Sequence, residues 1–262
     1  MADAVELVGE SRLFAVVVRS LAVRFVSGSM LLSGIFAGIA AFSATTADAQ
    51  FSCALASAVA LTAAYHYFAI VALRAPKDKP ATLTQQAFNE TQVDAVRHSD
   101  WLATLGALII DLHVLAGGHT RLFGVGWSVF FLVLMVGFGG FLRFGCDELA
   151  PSRSSDWTVQ VLGVLSFLGA WICLVLVLLN LLLNLEHEDS DWIYAFSLPW
   201  AFYGFIALAS IITRQFAPIG YPLALSIFKD VAYGALDVWS KANFALYVGA
   251  KALGNLDAVF GF

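Results

Sequence analysis

A lysine in the middle of an apolar run is the first residue in this chain whose position asks for chemistry. Lys241 lies in LALSIFKDVAYGALDVWSKANFALYVGAKAL, Leu223 to Leu253, twelve residues after Lys229 and ten before Lys251. At about 1.5 Å rise per residue this is roughly the middle of a ~30 Å hydrocarbon layer. An ammonium there is costly unless it is paired, deprotonated or covalently modified. Asp237, four residues earlier, shares its helix face about one turn away. The pair reads either as an ion pair inside a helix bundle or as an amine kept dry and poised to form a Schiff base with a carbonyl.

A second apolar run carries the groups that could answer it. VDAVRHSDWLATLGALIIDLHVL, Val93 to Leu115, contains Arg97, Asp100, Thr104 and Asp111. At about 100° per residue, Thr104 falls some 40° from Asp100, and Asp111 returns to within about 20° of it. One face therefore holds two carboxylates about 16 Å apart, with Arg97 about one turn outside the first. Ionisable groups at separate depths in a low dielectric are what a proton path requires, although single buried carboxylates also serve to tie helices together.

These residues need a membrane bundle to hold them. The 262 residues are 60% hydrophobic and 13% charged with a mean hydropathy of +0.82, against roughly 25% charged in soluble domains. Seven apolar runs are long enough to span: 21 to 44, 52 to 74, 91 to 115, 122 to 144, 157 to 185, 192 to 213 and 223 to 252. Short connections place sequential helices side by side, so the expected fold is an all-α, seven-transmembrane-helix bundle over residues 21–254, between an N-terminal segment 1–20 and a tail 255–262. Cys53, Cys146 and Cys173 lack metal-ligand spacing and read as apolar fillers without a disulfide framework. The net charge of −5 is spread over loops and excludes nucleic acid as a partner; no nucleophile–base pair, phosphate loop or metal cluster indicates an enzyme.

The Arg97, Asp100, Trp101, Thr104, Asp111 pattern, together with LDVWSK around Lys241, resembles the microbial (type 1) rhodopsins. PWAFYGF, Pro199 to Phe205, is similar to their sixth-helix aromatic motif, with Gly204 where proline is usual. AAYHYFAI around His66 and AFN, Ala87 to Asn89, resemble the proteorhodopsin and xanthorhodopsin branch. Gly106 also replaces a proline usual in the family, and Ala207 an aromatic residue. The loss of both prolines is expected to relax helix kinks, and the alanine to widen the pocket.

The resemblance implies all-trans retinal bound to Lys241 as a protonated Schiff base, with Asp100 and Asp237 as counterions and Arg97 closing that cluster. Asp100 would accept the Schiff-base proton and Asp111 would replace it, the apolar Leu108, Ile109 and Ile110 favouring a neutral acid at Asp111. His66 would pair with Asp100, and Thr104 would be coupled to that acceptor. The implied retinal pocket comprises Trp101, Leu108, Ser166, Trp200, Tyr203, Gly204 and Ala207, with Leu108 indicating green rather than blue absorption. Gly163 matches a position where the xanthorhodopsin branch opens a slot for a carotenoid antenna. No role is assigned to His98, His113, His119 or His187.

An aspartate at position 100 argues against chloride and sodium pumps, and Asp237 against inward proton pumps. The resemblance therefore implies an outward proton pump first, and a light-gated cation channel or photosensory rhodopsin second. It also implies a homo-oligomer of three to five copies in a plasma or organelle membrane, with lipids and protons as its other partners. Counting Arg12, Arg19, Arg74, Lys77, Lys79, Arg143, Arg153 and Arg214 on one side places the N-terminus in the cytoplasm, whereas the family places it outside. The loop RQFAPIGYP offers no acidic pair, so no early proton-release group is expected there.

Overall fold

The computed structural model describes residues 2–74, 83–115, 122–140, 157–183, 190–216 and 223–255. Among these the chain is helical in seven successive spans: α1 (Ala2–Ser43), α2 (Ala47–Leu73), α3 (Leu83–Leu115), α4 (Leu122–Gly140), α5 (Trp157–Leu183), α6 in two pieces (Ser190–Ser197 and Trp200–Phe216), and α7 (Leu223–Asp237, continuing through Val238–Asn243 and Phe244–Ala252). The seven-helix, all-α architecture is the expected one, and α1 and α3 begin further upstream than their apolar runs. The connecting stretches 75–82 and 184–189, Cys146, residues 217–222, the tail 256–262 and the side chains of Ala87 to Asn89 lie outside the described residues.

Val16–Ser43, Ala47–Leu73 and Val161–Leu181 are each long and apolar enough to cross a bilayer on composition alone. The protein is an integral membrane protein, and α3 and α7 carry most of its buried charges. Packing the helices requires close backbone approach, because lipid supplies no hydrophobic force between them. On α1, Gly34 and Gly38 form a small-xxx-small pair against α2: a Cβ on Gly34 would stand 2.8 Å from Leu61, and Ser57 Oγ donates to the Gly34 carbonyl at 2.8 Å. Gly249 of α7 meets α1 in the same way, where a Cβ would stand 2.7 Å from Phe36.

Local chemistry sets the helix ends and breaks. Thr46 caps α2 by accepting from the Ala49 N–H at 3.3 Å, and α7 closes on Gly254, whose φ of 68° permits the Asn255 N–H to reach the Ala250 carbonyl at 2.9 Å. Pro199 interrupts α6, leaving a tight turn in which the Phe202 N–H reaches back only to the Pro199 carbonyl, at 3.0 Å. The kink expected to relax with Gly204 is thus restored five residues earlier. In α7 the wider π turn spans Val238–Asn243 and contains Lys241. A π segment inserts one extra residue per turn and re-aims the side chains it carries.

Candidate functional site

Lys241 is 1% exposed and meets two carboxylates from different helices. Its Nζ donates to Asp100 Oδ2 of α3 and stands 3.1 Å from Asp237 Oδ1 one turn earlier in α7. Asp237 is clamped from both sides, by Tyr67 Oη of α2 at 2.6 Å and Tyr203 Oη of α6 at 2.6 Å. Charge-assisted hydrogen bonds of this kind are among the strongest a side chain makes. His66 Nδ1 donates to the Thr62 carbonyl at 2.8 Å and lies 3.4 Å from Asp100 Oδ1. Thr104 Oγ1 donates to the backbone carbonyl of Asp100 at 2.8 Å, holding the turn of helix and not the carboxylate itself.

A cavity of about 180 Å³ opens from Lys241 between α3, α4, α5 and α6. Trp101, Trp200, Tyr203, Gly204 and Ala207 line it, as the resemblance implied. Leu108, Ser166 and Gly163 do not. On α3 the lining residues are Asp94, Arg97, His98, Trp101, Leu105 and Ile109, a helical stripe that turns Leu108 into the core beside it at 1% exposure. On α5 the stripe is Phe167, Ala170, Trp171, Leu174 and Val177; Gly163 and Ser166 lie on the same face, nearer the start of the helix.

Trp171 carries no sequence signal of its own and packs against Gly204. A Cβ on Gly204 would stand 1.7 Å from its Nε1, so the indole occupies the room that the glycine leaves. It meets Phe205 edge-on at 5.1 Å and lies parallel to Phe167 at 6.3 Å. The indole N–H groups of Trp101, Trp171 and Trp200 are all buried without a protein partner. Aromatic and aliphatic surface is what most of the cavity presents, with the Lys241 amine and, from α3, Asp94, Arg97 and His98 among its polar lining.

Asp111 sits apart from this cluster. It is 0% exposed and accepts from Ser52 Oγ of α2, in an apolar setting that includes Leu108, Leu112 and Tyr247. His113, placed near a loop by sequence, is instead buried and joined through Ser128 Oγ at 3.0 Å to α4, and Asn180 of α5 donates to the same hydroxyl at 2.8 Å. Cys53 and Cys173 are buried and free.

Arg97 departs from its expected place beside Asp100 and Asp237. Its Nη1 donates to Asp94 Oδ1 at 3.1 Å and its Nη2 to Asp230 Oδ1, while the guanidinium carbon lies 5.3 Å above the Tyr233 ring. Lys229 Nζ donates to Asp94 Oδ2 at 2.7 Å, and Arg74 Nη2 to Asp230 at 3.0 Å. A second buried ionic cluster thus stands one turn outside the first, built from the ends of α2, α3 and α7.

The chain aligns with xanthorhodopsin, a light-driven ion pump with dual chromophore, at a TM-score of 0.66 and 20% identity, over 92% of this chain and 94% of that one. The fold is that of the microbial rhodopsins. The blue light-absorbing proteorhodopsin from Med12 aligns at 0.62 and 16% identity, over 90% and 97%. The light-driven proton pump from Leptosphaeria maculans aligns at 0.57 and 19% identity, over 90% and 96%. No protein-family model and no curated protein matches the sequence. On a rhodopsin frame, Lys241, Asp100 and Asp237 occupy the centre of the bundle and Asp111 lies further along α3.

Proposed function

We propose that the chain is a retinal-binding, light-driven outward proton pump. The observation that carries this reading is Lys241 Nζ, buried between Asp100 and Asp237 in the lining of a largely apolar, aromatic cavity. The residues fit such a group: an amine for an aldehyde, two carboxylates for the resulting cation, and indole and aliphatic walls for an apolar conjugated chain. Retinal bound there supplies absorption of visible light and a change of shape; all else falls to the protein.

Tyr67 and Tyr203 hold Asp237 as a fixed anion by donating to both its oxygens. Asp100 has no such pair of donors and is the nearer of the two carboxylates to Nζ, so it is the one placed to take the proton from it. His66 Nδ1 stands 3.4 Å from the other oxygen of Asp100 and couples to its charge. Asp111 and Ser52 stand at the opposite depth, where the carboxyl can return a proton to Nζ once Asp100 is loaded. The barriers between these stations support pumping over passive conduction. An apolar layer that includes Leu108, Ile109 and Phe244 lies around the inner path, and the Arg97 cluster closes the other end. The N-terminus is proposed to face outside, in a homo-oligomer.

Illumination of vesicles or cells under voltage clamp tests the reading. A pump gives a current of one sign at every potential, whereas a current that reverses with driving force would establish the channel alternative. Lys241→Ala is expected to abolish the visible band in protein made with added retinal. Survival of that band would remove the lysine from the mechanism.

A further inference from the structure

Resting on the retinal reading, the second ionic cluster acquires a role of its own. Arg97 lies three residues before Asp100, within side-chain reach of it, yet its guanidinium is turned away by two carboxylates, Asp94 and Asp230. Each of these is in turn held by a cation from another helix: Asp94 by Lys229 at 2.7 Å, and Asp230 by Arg74 at 2.9 Å with Arg19 Nε at 3.8 Å. Asp94, Arg97, Lys229 and Asp230 are all buried, so none of these pairs is dispersed by solvent. We propose that Asp230, with Asp94, is a positioning residue that holds Arg97 off the counterion pair, dividing the buried charges into two separate compartments.

The consequence falls on Asp100. The groups facing it are Lys241 and Asp237 from α7, His66 from α2, Thr104 on its own helix, and, through Asp237, Tyr67 and Tyr203. Lys241 is the cation among them that contacts the Asp100 carboxylate directly. A guanidinium released from Asp230 would be drawn to this carboxylate-rich cluster and would favour the ionised form of Asp100. The lock therefore leaves Asp100 easier to protonate, which is what an acceptor requires.

The visible band reads this directly, because protonation of the carboxylate beside a chromophoric cation moves the absorption maximum. Asp230→Asn is expected to lower the midpoint of the acid-induced band shift by about one pH unit, a roughly tenfold change in proton affinity. Asp230→Glu is expected to restore it. In an Arg97→Gln background, Asp230→Asn should leave the midpoint where Arg97→Gln alone puts it. An equal shift in both backgrounds would mean that Asp230 acts on Asp100 by its own charge, and no shift in either would mean that Arg97 is not restrained; each result overturns the proposal. If Asp230→Asn does not yield folded protein, Asp94→Asn removes the other anchor and is expected to shift the midpoint in the same direction. Failure of the parent protein to acquire any visible band counts against retinal binding, a result distinct from all of these.

Discussion

Asp237 shows how much a single side chain's partners decide. Its two oxygens accept from Tyr67 and Tyr203, each at 2.6 Å, and Lys241 completes the shell. Tyr67→Phe removes one donor and leaves a buried carboxylate short of a hydrogen bond, which costs about 1.5–3 kcal/mol for a bond to a charged group. The expected outcome is coloured protein with a lower thermal bleaching temperature, checked by following the visible band on heating. Gly204 sets a second residue-scale test. A methyl at this position would collide with the Trp171 indole, so Gly204→Ala is expected to shift the absorption band and to destabilise by about 1–3 kcal/mol through overpacking. Combining it with Trp171→Leu should relieve the clash and recover most of the stability; if the double variant is no more stable than Gly204→Ala, the contact is not what the glycine serves.

Elements place these residues, and here the sequence was legible in part. Four-residue and eleven-residue spacings were enough to put Asp237 with Lys241 and Asp100 with Asp111, because those pairs share a helix and its period is known. Tyr67 was not legible as a partner of Asp237, although its neighbour His66 was singled out, because the contact joins α2 to α7 across 170 residues. Lys229 and Asp230 lie inside the last apolar run with nothing in the sequence to pair them; only the meeting of α7 with α2 and α3 turns them into partners for Asp94, Arg74 and Arg97. The π turn at Val238–Asn243 has no signature in VWSKAN, a stretch of ordinary helix formers and one β-branched residue. Pro199 stands within the motif, and the break it makes in α6 follows from its missing N–H. Pro199→Ala supplies the missing N–H and allows the two pieces of α6 to join. Trp200 follows the break directly and lines the cavity, so this substitution is expected to move the absorption maximum. An unchanged spectrum would show that the break does not aim Trp200.

At the scale of the whole molecule, the arrangement has a direction. Arg19 in the first half of α1, Arg74 after α2, Asp94 and Arg97 in the first half of α3 and Lys229 and Asp230 near the start of α7 converge, which marks the N-terminal side of the bundle. Asp111 lies about 16 Å further along α3 from Asp100, toward the opposite side. A proton moving from Asp111 through Lys241 to Asp100 therefore travels toward the face that carries the N-terminus. The Lys/Arg count that places this face in the cytoplasm includes Arg19 and Arg74, and both are engaged with the buried Asp230. Cations neutralised within the bundle contribute little to the loop bias that orients a membrane protein. With the N-terminus outside, light should acidify the medium of intact cells, and a tag fused to the N-terminus should be reached by an antibody without permeabilisation. Asp111→Asn should slow recovery of the resting spectrum steeply at neutral pH, with added azide, a small diffusible acid, restoring the rate. Acidification of the medium with the tag accessible only after permeabilisation would separate the two claims, since the proton would then move away from the N-terminal face and the order of stations along α3 would have to be reversed.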